Sequence, residues 1–195
     1  MPTTTVLHIR NMVCPRCVSS VRETLRGLGL AVRAVRLGEA DLAHPPSEAE
    51  LRRIETALRA GGFELLRDPG EQMVERVKLA LLEYRGLLEG EKEPRPLKAH
   101  LEETLGRHSR GVGAAFAERE GVTIARYLIL LKIERVKELL GYGELTLSEI
   151  AFRLRYSSVQ HLSNQFRRVT GVSVREYKGG GAGHRHPLDA LKGTR

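Results

Sequence analysis

No apolar run in this 195-residue sequence approaches the roughly 18 to 20 residues that a membrane-spanning helix needs. The amino terminus, MPTTTVLHIR, has no hydrophobic signal core either. Both absences point to a cytoplasmic protein that does not engage a membrane. Cysteine is nearly missing: only Cys14 and Cys17 occur, in a single CxxC. In a reducing compartment such a pair is more readily a metal or redox site than a structural disulfide. No Ser-His-Asp arrangement and no phosphate-binding glycine loop is apparent, so the chain does not read as an enzyme.

What is present is charge, unevenly placed. The formal net charge is +8, and 41% of the residues are hydrophobic, enough for ordinary cores in one large or two small domains. Residues 1–70 hold 10 Lys and Arg against 8 Asp and Glu, residues 71–144 hold 13 against 13, and residues 145–195 hold 9 against 3. The basic excess therefore sits at the end of the chain, which is the electrostatic footprint of a polyanion partner.

Within that basic segment, LTLSEIAFRLRYSSVQHLSNQFRRVTGVSVREY (residues 145–177) predicts two short helices, 148–155 and 158–169, joined by a tight turn. Ile150, Ala151 and Leu154 form one apolar stripe and Leu162, Phe166 and Val169 another, with small Ala151 allowing close approach. The other face of the second helix is polar. Gln160, Ser163, Asn164 and Arg167 fall at i, i+3, i+4 and i+7, Arg168 lies beside them, and Ser157 or Ser158 is a ready N-cap. Carboxamides grip adenine edges, and guanidiniums suit guanine or phosphate, so this face has the chemistry of a helix that reads the major groove. The candidate DNA-binding residues here are Ser158, Val159, Gln160, Ser163, Asn164, Arg167 and Arg168.

The run SEIA, then YSS, then HLSNQFRRVTG followed by a hydrophobic residue, Ser173 and Tyr177, resembles the second helix-turn-helix of the AraC/XylS family of bacterial transcription regulators. That family usually has glycine in the turn, where this chain has Arg155; a left-handed residue there costs about 1 kcal/mol without glycine. Residues 124–140, IARYLILLKIERVKELL, are apolar nearly all round and look like the connecting helix of the same family. Ahead of it, residues 97–105 and 107–118 loosely repeat the second motif. Aligning Phe116 with Phe166 and Gly121 with Gly171 puts Gly113 and Ala114 where Ser163 and Asn164 stand. The first unit would then keep the architecture without the reading side chains, with Arg110 as its best DNA contact. The resemblance implies sequence-specific binding to double-stranded DNA that regulates transcription, with RNA polymerase as a further partner.

The amino-terminal third has a different pattern. Residues 3–10 alternate and are rich in β-branched side chains, which predicts a strand. A helix follows the CxxC with Val18, Val21, Leu25 and Leu28 at helical spacing, and strands are expected at 30–37, 39–43 and 63–67. Between the last two, Ser47 and Glu50 form a capping box for a helix that buries Leu51, Ile54 and Leu58. Strand, helix, strand, strand, helix, strand is the order of the ferredoxin-like plait. With Met12, Cys14 and Cys17 spaced as MxCxxC, residues 3–67 resemble the heavy-metal-associated domain of copper chaperones and metal-transporting ATPases. The resemblance implies Cys14 and Cys17 as ligands of a soft cation and Met12 as packing beneath the loop. Two thiolates suit linear copper(I), or part of a zinc or cadmium shell, and a helix N-terminus lowers thiol pKa. Asn11, Val13 and the Pro15-Arg16 interior depart from that family's usual residues. The loop is open to three readings: soft-metal binding, thiol redox switching, or no chemistry of its own.

The expected organisation is an α+β ferredoxin-like βαββαβ domain at 1–68, then an all-α domain with two helix-turn-helix units at 71–178, and a disordered glycine-rich tail at 179–195. Asp68, Pro69 and Gly70 would form the boundary, and Val74, Val77, Leu81 and Leu88 the apolar side of the next helix. The expected function is transcriptional regulation of AraC type, with a soft metal or thiol redox state as input through Cys14 and Cys17. The alternative is a metal chaperone or metal-handling protein whose helical half docks a partner. Charge separates the two, since a chaperone has no need of a basic carboxy-terminal segment with an amide-rich face.

Overall fold

The computed structural model describes residues 5–90, 92–106 and 111–180. The chain divides into two compact units, Met1–Leu79 and Ala80–Arg195. No helix among the described residues is long and apolar enough to cross a membrane.

In the first unit the elements are β1 (Thr5–Arg10), α1 (Pro15–Gly27), β2 (Val32–Arg36), β3 (Glu39–Leu42), α2 (Glu48–Ala60) and β4 (Glu64–Leu66). The strands form one antiparallel sheet in the order β2-β3-β1-β4. Alternation along β1 decides its faces: Leu7 and Ile9 are buried while Val6 is exposed. They pack with Val21 and Leu25 of α1 and Ile54 and Leu58 of α2 into one core. Local signals set the helix starts. Pro15 occupies the first turn of α1, where its missing N–H costs nothing. Ser47 and Glu50 make both bonds of the capping box at α2. The β2–β3 hairpin turns at Gly38, with φ 78°, where a Cβ would stand 2.2 Å from Leu79 Cδ1. Both the backbone and the close approach require glycine there.

The segment 68–70 differs from its expected role as a boundary. Asp68 Oδ1 accepts from the Glu71 N–H at 2.8 Å, and the helix α3 (Pro69–Leu88) begins at once. Pro69 thus acts as a helix-starting residue, which is the other position where proline is tolerated. The two compact units part inside α3, between Leu79 and Ala80.

In the second unit, the end of α3 is followed by α4 (Leu97–Leu105), α5 (Val112–Glu120), α6 (Ile124–Tyr142), α7 (Leu147–Arg153), α8 (Val159–Thr170) and α9 (Val174–Gly179). The apolar α6 buries Tyr127, Leu130, Leu131, Ile133, Val136, Leu139 and Leu140. The most buried cation of α6, Lys137, pairs with Glu134 at 2.6 Å. Phe116 of α5 meets Tyr127 edge-on with centroids 5.5 Å apart. Helix α5 is described from Val112, five residues later than expected; the expected start at 107 and the DNA contact Arg110 lie outside the described residues. So do residues 181–195 of the expected tail. The short helix α9 was not expected, yet its start is written locally, as a capping box between Ser173 and Glu176.

Candidate nucleic-acid interface

The exposed face of α8 depends on how α7 and α8 hold one another. Thr146 and Glu149 close a capping box at the start of α7, and Ser158 Oγ accepts from the His161 N–H at the start of α8. Both bonds to Thr146 hold the Glu149 carboxyl below its ordinary value. Ile150, Leu154, Leu162 and Phe166 have no exposed surface and Ala151 only 3%, so the two helices meet through a small residue. Burying a side chain such as Phe166 contributes about 1.5–3 kcal/mol, and Tyr177 of α9 adds an edge-on ring 5.4 Å away. Val169, expected to face inward, is half-buried against the same core.

This inward packing leaves the opposite stripe in solvent. Gln160, Asn164, Arg167 and Arg168 are exposed, and Ser158 is exposed at the N-cap. Gln160 Nε2 donates to Asn164 Oδ1 at 2.8 Å, so the two carboxamides form one linked polar surface. Ser163 is half-buried and its hydroxyl donates back to the Val159 carbonyl at 2.9 Å. Val159 packs partly against the core. The structure therefore brings Gln160, Asn164, Arg167 and Arg168 together on one face and turns Val159 toward the protein.

One residue of this surface escaped the sequence argument. His161 is exposed, with Nδ1 2.9 Å from Ser157 Oγ and its ring edge-on to Tyr156. Its spacing of seven from Arg168 places both along the same side of α8, a signal the sequence did contain. Beneath them, Tyr156 donates to Gln165 Oε1 at 2.8 Å, and Lys132 of α6 lies 3.8 Å from the Tyr156 ring centroid. Burial lowers the Lys132 ammonium to about 8 and pushes the Tyr156 hydroxyl up.

Residues 101–180 match the model of a helix-turn-helix domain family. The match takes in α5 to α9 and most of α4. Among known proteins, the chain is similar to the HTH-type transcriptional activator RhaS of Escherichia coli O139:H28, with 35% identity over 63 residues. That stretch is 32% of this chain and 23% of the relative, so the chain spans about a quarter of that protein's length. Among solved structures it is similar to the C-terminal domain of AraT, a response regulator from Geobacillus stearothermophilus. The TM-score is 0.46 at 20% identity, over 62% of this chain and 92% of that one.

The second candidate site lies outside the matched domain. Cys14 is the N-cap residue of α1, and its Sγ is 3.3 Å from Cys17 Sγ with both thiols free. The Cys17 backbone N–H is the main cause that lowers the Cys14 thiol, followed by the Cys17 side chain, with smaller help from Arg16. Met12 is fully buried in the core behind the loop. Asn11 holds the left-handed turn at φ 72°, and its Nδ2 donates to the Gly62 carbonyl at 3.1 Å. Asparagine tolerates this conformation better than most side chains, which accounts for its standing where the resembled family commonly has glycine. Among the described residues no group of three or more His, Cys, Asp or Glu is placed to hold a metal ion.

Proposed function

We propose that this chain is a sequence-specific, DNA-binding transcriptional regulator of AraC type. The observation that carries the reading is the exposed Gln160–Asn164–Arg167 stripe on a capped helix whose other side buries Leu162 and Phe166 completely. Such a helix can present carboxamides to base edges and guanidiniums to guanine or phosphate without disturbing its own core. The match to a helix-turn-helix domain supports it, as does the basic carboxy-terminal segment. The chemistry is recognition, not catalysis. Double-stranded DNA is the partner, and regulation of transcription implies RNA polymerase as the machinery acted on. Selection from a random duplex library followed by sequencing tests the reading: a recurrent motif is expected, and an unenriched pool would sink it.

The first unit is the input domain in this proposal. Its element order and antiparallel sheet suit a ferredoxin-like domain of the heavy-metal-associated kind. Cys14 and Cys17 fit a soft monovalent ion such as copper(I). Two adjacent thiols form a complete set for linear coordination, whereas tetrahedral zinc or cadmium needs further ligands. The Cys17 backbone N–H in the first turn of α1, with smaller help from Arg16, favours the Cys14 thiolate, and Met12 is fully buried in the core of the same unit. Copper(I) titration of the reduced chain, with DNA affinity as readout, is the test. Changed affinity supports an input role, because a ligand shifts only those states it binds unequally. Uptake without any change in affinity leaves a metal-handling domain beside a DNA-binding one, and absence of uptake refutes the metal site.

A further inference from the structure

We infer that Arg155 is a positioning residue for the reading helix, acting with Arg153 and Glu89 to clamp the α7–α8 turn to the last turn of α3. The inference rests on the reading that α8 binds DNA. Arg155 sits at φ 53°, in the left-handed region that glycine occupies most easily. Its side chain shows why arginine is useful there. Nε donates to the Leu88 carbonyl at 3.3 Å and Nη2 to the Gly90 carbonyl at 3.0 Å. Carbonyls at a helix C-terminus have no partners within the helix, and a cation is the favoured group to meet them.

The neighbouring contacts converge on the same place. Arg153 Nε donates to Glu89 Oε2 at 3.1 Å. The Glu89 side chain is only 12% exposed and also takes two bonds from Arg135 of α6, each 2.8 Å. That carboxylate pushes the Arg135 guanidinium up. The end of α3 is thus bonded to α6, to α7 and to the turn that aims α8. Residues 88–90 lie outside the matched stretch 101–180, so the working reading unit extends beyond it toward the amino terminus.

The test uses the full chain with Arg155→Gly and Glu89→Gln. Two readouts are taken. One is amide exchange at Arg155 and Tyr156, whose N–H groups bond the Phe152 and Ala151 carbonyls. The other is the ratio of affinity for the selected site to affinity for random duplex. Glycine suits the backbone but removes the clamp, so exchange at the turn should rise about tenfold and the ratio fall about tenfold, charged hydrogen bonds being the strong ones. Glu89→Gln, nearly the same shape, should move both in the same direction, and it carries the test if the glycine variant does not fold. An Arg155→Gly chain as protected and as selective as the parent would overturn the inference, since the backbone conformation alone would then suffice. If the parent selects no sequence, the DNA reading fails, and amide exchange still decides whether the clamp exists.

Discussion

Replacing Asn164 with alanine removes both a proposed reading group and the acceptor that orders Gln160. The two carboxamides are exposed and joined by a 2.8 Å hydrogen bond. Because neither is buried, the change should leave folding stability within about 0.5 kcal/mol of the parent. A bidentate carboxamide–adenine contact is worth about 1–3 kcal/mol, so affinity for the preferred duplex should fall about 5- to 150-fold and one or two base positions should relax. Gln160→Ala should behave alike, because the same linked pair is broken. The double variant should then lose less than the sum of the two, with a coupling of about 0.5 kcal/mol or more. Fluorescence anisotropy on the selected duplex and on single-base variants, at one fixed salt concentration, measures all four corners of the cycle. Strict additivity, or an unchanged base preference in either single variant, would refute the linked-reader argument.

Arg168→Ala should weaken binding to all sequences and flatten the plot of log affinity against log salt by about one unit, the mark of a lost phosphate contact. Phe166→Ala, at a fully buried position, should destabilise the second unit by about 3–5 kcal/mol, seen as an early thermal transition. Lys132 predicts a pH effect. Its folded value of about 8 lies below its ordinary 10.5, so the unfolded chain holds that proton more tightly between the two. Stability should therefore rise from pH 8 toward 10, above which Tyr156, displaced the other way, works against it. Lys132→Met should remove the rise in chemical denaturation measured across that window, and an unaltered slope would contradict the burial argument.

Much of the fold was legible because its signals are local. The Ser47–Glu50 box, Pro15 in the first turn of α1, Ser158 as N-cap and the apolar stripes of α6, α7 and α8 each depend on residues within about two helical turns. The exposed face at Gln160, Asn164 and Arg167 followed from the same periodicity, since fixing which side is buried fixes which side is left. Asp68 shows the limit of such reading. Asp-Pro-Gly suits a turn as well as a helix start, and the helix that follows decided between them. Only the tertiary structure decided which long-range partners meet. It brought Asn11 to the Gly62 carbonyl, Lys132 against Tyr156, and Glu89 between Arg135 and Arg153. Arg155 unites the two cases. Its left-handed turn was implied by the family resemblance, but the Leu88 and Gly90 carbonyls that its guanidinium reaches are more than 60 residues away in the chain, and no periodicity encodes a contact between separate helices.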